Sequence, residues 1–487
     1  MAMTQLSFVD TTLRDGHSSL WAMGMRTGMM VPIAEQIDEV GFKAIELFGS
    51  GQFKKLTREL REDPWERLRM MSERVTKTPL GFMMLPSITV FEIPSLPLLE
   101  LYVERLAANG IGRIQLMESS NDFGGRMPGL VAFMKSLGLQ VVLGLVYSIS
   151  PKHTDEYYAI KTSQAAALEP DAVYIKDPAG LLTSERTRTL VPAVLEHAGE
   201  VPVEFHSHCT TGLAPAFYVE AIKLGIETIH TAIPPLANGS SQPSVFNVAH
   251  NAAHLGFEPT IDVEKIRPIS SHLTDIARRE ELPVGAPLEY DVAQYEHHVP
   301  GGVISHLRHQ LTQMGVVDRL DEVLREVGRV RAELGYPIMV TPFSQFVCTQ
   351  ATLNVISGAR YSQVPDEVIQ LVMGHWGKEA AEDIDPDVRD RIMNAPRARH
   401  FANWTPPETT VAEARQRLGG PDLSDDELVL RCTSPVADVE AMHAAGPAKM
   451  YRSGETPMAV LVEELLKRKE FRQITVRAGD KSISFRS

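Results

Sequence analysis

Short apolar runs alternate with amphipathic stretches along the first half of the chain, at fairly even intervals. Eight runs have the length and composition of buried strands: 7–11, 44–48, 80–85, 113–117, 140–146, 172–175, 201–205 and 228–232. Between them lie segments such as 30–40 and 98–109, in which apolar residues recur at helical spacing. Eight strand–helix units in roughly 240 residues predict an α/β fold, a (β/α)₈ TIM barrel. A doubly wound open sheet is the alternative. No Gly-x-Gly-x-x-Gly follows the first strand, however, so dinucleotide binding has no support.

Polar and ionisable residues gather where the predicted strands end, the end at which such barrels carry their chemistry. Strand 1 runs into Asp10-Thr-Thr-Leu-Arg14-Asp15-Gly-His17, and strand 2 leads from Glu46 to Phe48-Gly-Ser-Gly51. Glu118, Asn121 and Asp122 follow strand 4, and Lys176-Asp177-Pro-Ala-Gly180 follows strand 6. Strand 7 delivers His206 and His208, which project from one face of a strand because they are two apart. A carboxylate, two imidazoles and a strand-end lysine make a mixed O/N site suited to Zn²⁺, Mn²⁺ or Co²⁺. An ammonium has no lone pair, so Lys176 ligates only when deprotonated or when its amine has captured CO₂ as a carbamate. Burial beside a cation favours the neutral amine that reacts. The plainer reading of Lys176 is a salt bridge to Asp177 or Asp15, and of the histidines two polar residues in a loop.

At 487 residues the chain exceeds one typical domain, so a large domain with a smaller partner is expected. The net charge of −14, with no basic cluster interleaved with aromatics, argues against a nucleic-acid partner. Three cysteines (Cys209, Cys348, Cys432) with no Cys-x-x-Cys give no disulfide framework, as in a reducing compartment. The first residues lack the basic and apolar regions of a signal peptide, and no apolar run reaches membrane-spanning length. The expected location is therefore cytoplasmic.

Past the barrel, residues 261–295 read as helical and proline-punctuated, and 317–334 and 365–376 have helical spacing. Ser424 followed by Glu427 is a capping-box signature. Thr456-Pro457 opens a last helix over 457–469, and 473–477 and 481–486 alternate around Ala-Gly-Asp as a hairpin does. The expected division is a barrel over 1–300, a mainly helical C-terminal domain over 301–470 and a β-hairpin over 471–487.

Six of these stretches resemble one family. They are Asp-Thr-Thr-Leu-Arg-Asp-Gly-His (10–17), Gly-Phe-Lys-Ala-Ile-Glu (41–46), Glu-Asp-Pro-Trp-Glu-Arg-Leu-Arg (62–69), Ile-Lys-Asp-Pro-Ala-Gly-Leu-Leu (175–182), His-Ser-His-Cys-Thr-Thr-Gly (206–212) and Pro-Gly-Gly-Val-Ile-Ser-His-Leu (300–307). Together they resemble the carboxyltransferase part of biotin-dependent pyruvate carboxylase, and most nearly the stand-alone subunits of oxaloacetate decarboxylase and transcarboxylase. The resemblance continues through 333–345 and 419–428 and so covers nearly the whole chain.

The resemblance implies metal ligands at Asp15, Lys176, His206 and His208, with Lys176 carbamylated. It implies that Ser305 moves a proton between substrate and biotin, and that Arg14 stabilises negative charge near the metal. It also exposes departures around the expected substrate pocket. Ser18 stands where the family keeps Gln, Gly24 where it keeps Arg, and Cys209 where it keeps Asp or Ala. After strand 3 the chain has Met84-Leu85-Pro86-Ser87 where the family has Leu-Leu-Arg-Gly, whose Arg holds the substrate carboxylate. Unless Arg26 or Arg113 has taken over that grip, the acceptor is not an ordinary 2-oxo acid. Trp21, Met23, Met83 and Met84 would offer adaptable apolar surface instead.

No Ala-Met-Lys-Met occurs in these residues. Biotin is therefore expected in trans, on a biotin carboxyl carrier protein charged by a biotin carboxylase subunit, with this chain in a homodimer or larger complex. The expected function is a carboxyltransferase subunit acting on a small-molecule acceptor. The alternatives are pyruvate carboxylase or oxaloacetate decarboxylase activity with a relocated Arg, a biotin-independent metal-dependent C–C lyase, or a non-catalytic scaffold subunit.

Overall fold

In the computed structural model the described residues are 4–89, 93–451, 465, 473–478 and 481–486, and the side chains of Ser305 and His306 lie outside them. Eight strands form the barrel: β1 (Gln5–Asp10), β2 (Ala44–Gly49), β3 (Leu80–Met84), β4 (Arg113–Met117), β5 (Gln140–Val146), β6 (Ala172–Asp177), β7 (Val203–Ser207) and β8 (Thr228–Thr231). Each pairs in parallel with the next. β1 pairs with both β8 and β2, so the sheet closes. The barrel is the observed architecture, and the open-sheet alternative falls.

The two faces of the strands explain the closure. Outward residues are apolar and pack on the surrounding helices, as Phe205 does on Phe217 and Tyr218 at ring-centroid distances of 6.1 and 5.1 Å. The inward face carries polar groups, among them Glu46, Glu204, His206 and His230, all fully or nearly fully buried. Gly144 makes room for one of them. A Cβ there would lie 3.0 Å from the Tyr174 ring, which stacks on His230 at 5.6 Å and 13°.

The expected helical span packs in two places. Residues from Val299 to Phe401 build their own core around the helices Leu320–Glu333 and Phe343–Ser357. The helices Val411–Leu418, Asp425–Thr433 and Val436–Ala444 instead contribute Leu428, Val429, Val439 and Met442 to the barrel's core. Trp65 Nε1 donates to the Asp426 carbonyl at 3.0 Å there. Ser424 accepts from the Glu427 amide at 3.2 Å, but Glu427 turns to Arg431 and His443 at 2.8 and 2.9 Å, so only half of the capping box forms. The hairpin is present as Gln473–Ala478 antiparallel to Lys481–Arg486, while the helix expected over 457–469 lies outside the described residues.

The separate helical core seats its loop 337–342 over the ends of β3, β4 and β5. Leu85, Met117 and Val146 of the barrel pack there with Ile338 and Val340. Ser119 Oγ donates to the Thr341 carbonyl at 2.7 Å. Arg331, 5% exposed, donates to Ser148 Oγ at 2.9 Å, the Ile149 carbonyl at 2.8 Å and the Pro337 carbonyl at 3.3 Å. Arg331→Leu keeps the bulk but strands these acceptors, which should lower stability by about 1–3 kcal/mol. The urea midpoint of the full chain measures it, and an unshifted midpoint would remove Arg331 as the clasp between the two units.

Candidate metal centre and active site

The first piece of the site is the turn Thr12–Gly16 that continues β1, with Asp15 in it. Lys176 and His206 come next, side by side as register partners across β6 and β7. His208 lies just past β7, and its amide donates to the Asp177 carbonyl at 3.1 Å. Asp177 braces this corner by accepting from the Leu181 and Leu182 amides, each at 2.9 Å, and from Ser207 Oγ at 2.8 Å. Asp177 is therefore committed to main chain and serine, and the ammonium of Lys176 pairs with Asp15. Gly180, at φ +64°, allows the β6 loop to lie against β7, since a Cβ there would stand 2.6 Å from the His208 carbonyl.

Four side chains meet in a desolvated space. Lys176 Nζ is 2.9 Å from Asp15 Oδ2 and 2.8 Å from His206 Nε2. His206 Nε2 and His208 Nε2 are 3.1 and 3.3 Å from the same carboxylate oxygen. One ligand atom each from Asp15, His206 and His208 fits within a 4.8 Å cluster, and all three residues are buried. A carbonyl only accepts, so the 2.7 Å contact of His208 Nδ1 with the Ser240 carbonyl puts the proton on Nδ1 and leaves the Nε2 lone pair facing the cluster. Lys176 Nζ and Gln242 Nε2 aim N–H groups at the acceptor atoms that a cation would take, Gln242 at 3.2 Å from Asp15 Oδ2. The donor set fits a divalent metal ion.

The electrostatics agree with that role. Burial alone would raise the Asp15 carboxyl, but the Arg14 guanidinium and the Lys176 ammonium hold it well below the usual carboxylate range. Burial lowers the Lys176 ammonium from its ordinary value against the pull of Asp15, which favours a free amine. Burial and the nearby Lys176 likewise push His206 well below its usual value, so it stays neutral and able to ligate. Arg14 bridges two carboxylates. It stands 3.2 Å from Asp15 Oδ2 and donates through Nε to Glu46 Oε2 at 2.7 Å.

The residues expected around the substrate are less gathered. Ser18 is close by, its hydroxyl 2.5 Å from the Arg14 carbonyl and 3.0 Å from Gln52 Nε2. A Cβ on Gly24 would meet the Trp21 carbonyl at 2.8 Å, so a side chain there would need the backbone to shift. Trp21 and Cys209 belong to the barrel's hydrophobic core, as does Met84, and Trp21 Nε1 donates to the Pro283 carbonyl at 2.8 Å. Ser87 spends its hydroxyl on the Thr89 carbonyl. Met83 does reach the site's edge: a Cβ on Gly49 would lie 3.6 Å from Arg14 Cδ and 3.7 Å from Met83 Cε. Ser305 falls in the helix Gly301–Gln313, with its side chain outside the described residues.

Neither candidate for a relocated arginine is available. Arg26 pairs with Glu62 at 3.0 Å, and Arg113, the first residue of β4, pairs with Glu204. Gln242, His230 and Glu204 were not singled out from the sequence. For Gln242 a signal existed, the Gly239-Ser-Ser-Gln-Pro turn that follows the eighth strand at the reactive end. A cavity of about 350 Å³ in the helical core, lined by Val303, Leu307, Gln345, Phe346 and Thr349, shares no residue with the metal cluster. Among the described residues no helix is long and apolar enough to cross a membrane.

Comparison with known proteins agrees with this geometry. Residues 295–475 match the model of the conserved carboxylase domain, and residues 113–273 an HMGL-like model. A pyruvate carboxylase subunit of Methanocaldococcus jannaschii is 36% identical over 411 residues, covering 83% of this chain and 71% of that protein. The methylmalonyl-CoA carboxyltransferase 5S subunit of Propionibacterium freudenreichii is 29% identical, covering 91% and 89%. The carboxyl transferase domain of Rhizobium etli pyruvate carboxylase, solved with oxamate and biotin, superposes with a TM-score of 0.82 at 22% identity, covering 91% of this chain and 78% of that one. A buried Asp–Lys–His–His cluster at the mouth of a closed barrel, and a relative this similar along most of its length, lead to one assignment: the chain belongs to the biotin-dependent carboxyltransferases, a family of enzymes.

Proposed function

We propose that this chain moves a carboxyl group between carboxybiotin, presented by a carrier protein and recharged by a biotin carboxylase, and a small-molecule acceptor that is not an ordinary 2-oxo acid. The observation that carries the reading is the buried meeting of Asp15, Lys176, His206 and His208 beneath a second unit seated on the barrel mouth. The match to a carboxylase model beyond the barrel favours this over a biotin-independent C–C lyase. Relatives named as subunits support a multisubunit complex.

Asp15, His206, His208 and a carbamylated Lys176 would hold Zn²⁺, Mn²⁺ or Co²⁺. Carbamate formation joins the neutral Nζ amine to the carbon of CO₂ and releases one proton, turning a neutral nitrogen donor into an anionic oxygen donor; the ammonium would first give up a further proton. When bound, the ion supplies Lewis-acid polarisation of an acceptor oxygen. Arg14 offsets negative charge that develops beside Asp15. Ser305, by family resemblance, takes the acidic proton from the acceptor's carbon and returns it to biotin, and the carbanion so formed attacks CO₂ released from carboxybiotin. The reverse sequence decarboxylates.

The acceptor follows from what borders the site. Names among the relatives span pyruvate carboxylase, 2-oxoglutarate carboxylase and methylmalonyl-CoA carboxyltransferase, so membership leaves the acceptor open. Here the strand-3 arginine is replaced by Pro86, and Met83 packs beside Leu85, Met117, Ile338 and Val340. A charge-assisted Arg–carboxylate pair is worth about 1.5–3 kcal/mol, or roughly ten- to a hundredfold in affinity. An acceptor with an apolar portion suits this wall better than pyruvate does.

Three outcomes are expected. Purified parent protein should carry one divalent ion per chain by elemental analysis, and the double variant His206→Ala, His208→Ala should lose it; full retention in that variant would overturn the site. Ser305→Ala should slow carboxyl transfer by roughly two to four orders of magnitude with metal content and melting temperature unchanged. Near-normal turnover would take Ser305 out of the mechanism. In an acceptor panel run with carrier and carboxylase, pyruvate should be at least about tenfold poorer in kcat/KM than the best apolar-tailed acceptor. Pyruvate as the best substrate would refute the acceptor assignment.

A further inference from the structure

We infer that His230, held by Glu204, is a positioning residue of the metal centre: it fixes His206 as the tautomer that presents Nε2 to the ion. The inference rests on the metal reading of Asp15, His206 and His208.

Lys176 Nζ and Asp15 Oδ2 both lie close to His206 Nε2, at 2.8 and 3.1 Å, so it is ligation of the ion through Nε2 that leaves the ring proton of neutral His206 on Nδ1. His206 Nδ1 is 3.2 Å from His230 Nδ1. At the other side of the His230 ring, Nε2 is 2.9 Å from Glu204 Oε2, a carboxylate oxygen that only accepts. Neutral His230 therefore carries its proton on Nε2, and its Nδ1 lone pair can accept from His206 Nδ1–H at 3.2 Å, nearer to that nitrogen than Glu46 Oε1 at 3.4 Å. With the ion on Nε2, one direction of donation satisfies both remaining contacts, running from His206 through His230 to Glu204.

The relay is anchored beyond the site. Glu204 is fully buried and pairs with Arg113 and, at 3.1 Å, with Lys43. His230 itself is fully buried, with Tyr174 stacked on one face. His206 and Glu204 share a face of β7, two residues apart, and His230 reaches both from β8. A ligating histidine commonly has its second nitrogen held by an acceptor, and loss of that acceptor typically weakens metal binding about 10- to 100-fold. Here the acceptor is another imidazole, with a carboxylate behind it.

The test is metal affinity of the full chain, by chelator competition with Zn²⁺ and by the visible absorption of bound Co²⁺. His230→Leu and His230→Phe both remove the acceptor, and the Phe ring retains a face for Tyr174, so either carries the comparison if the other fails to fold. Each should bind about 10- to 100-fold more weakly than the parent, with altered Co²⁺ bands. His230→Asn places an amide oxygen near the lost Nδ1 and should regain most of the affinity, an order opposite to what filling the space would give. Parent-like affinity in Leu and Phe overturns the relay, as does an Asn variant as weak as they are. Two ions per parent chain, falling to one in His230→Asn, would instead make His230 a ligand with Glu46 and also overturn it. A parent that binds no ion, or a His206→Ala, His208→Ala variant that binds as well, overturns the metal reading itself.

Discussion

A carboxylate with two imidazoles beside it, stripped of water, needs positive charge within reach, and the barrel is arranged to meet that need at Asp15. Arg14 comes from the neighbouring backbone position, Lys176 from β6 and the Gln242 amide from the loop after β8. Asp15 and Lys176 are 161 residues apart in sequence. Pairing of β1 with β8 closes the sheet, which sets the turn after β1 across the mouth from β6 and β7. An open sheet would leave the carboxylate and the lysine at the end of different strands with no shared interior.

The same demand runs down through the barrel. TIM-barrel interiors are commonly filled by branched aliphatic side chains, yet this one carries Glu46, His230, Glu204 and Arg113 beneath the Asp15–Lys176–His206–His208 cluster. Pairing buried charges rarely contributes net stability, because desolvation consumes most of the Coulombic gain. What the pairing does provide is fixed orientation. Burial would raise Glu46, but Arg14 holds it well below the ordinary carboxylate value, so an anionic Glu46 keeps the guanidinium beside Asp15. Residues with no access to substrate thus set the geometry of those that have it.

How much of this was legible follows from which face each residue takes. All eight strands were readable from apolar runs, with ends displaced by only one or two residues, because the outward side chains bury against helices whatever the interior holds. The polar interior was hidden by those same neighbours, though alternation in Arg113-Ile114-Gln115 and Glu204-Phe205-His206 carried the signal. His206 and His208 were legible because a spacing of two preserves the face. Cys209 was a pocket candidate only because it stands where the family keeps Asp or Ala, and its side chain lies in the core. Arg113 was excluded by information already present, since it opens β4 and so stands at the end opposite the chemistry. Pairing of Ser18 with Gln52 had no sequence signal, as it depends on where the helix Ser50–Lys55 after β2 sits.

The mouth of the site turns these constraints toward the acceptor. Removing a guanidinium from a family pocket forfeits about 1.5–3 kcal/mol of carboxylate binding. Apolar burial returns roughly 25 cal/mol for each Å² removed from water, so about 100 Å² of newly covered apolar surface restores a comparable amount. That is more than pyruvate's single methyl group offers and within reach of a short alkyl or acyl segment. An apolar cluster over the ends of β3, β4 and β5 is built from both units, Leu85 and Met117 from the barrel and Ile338 and Val340 from the helical core, with Met83 half-buried against it. On the proposed reading, acceptor choice and seating of the second unit are linked through Met83, so a change in how loop 337–342 sits on the barrel would alter specificity without touching Asp15, Lys176, His206 or His208. On that reading polar recognition would fall to the proposed metal centre and Arg14, while apolar surface at the mouth would sort acceptors by what they carry beside the reacting oxygen.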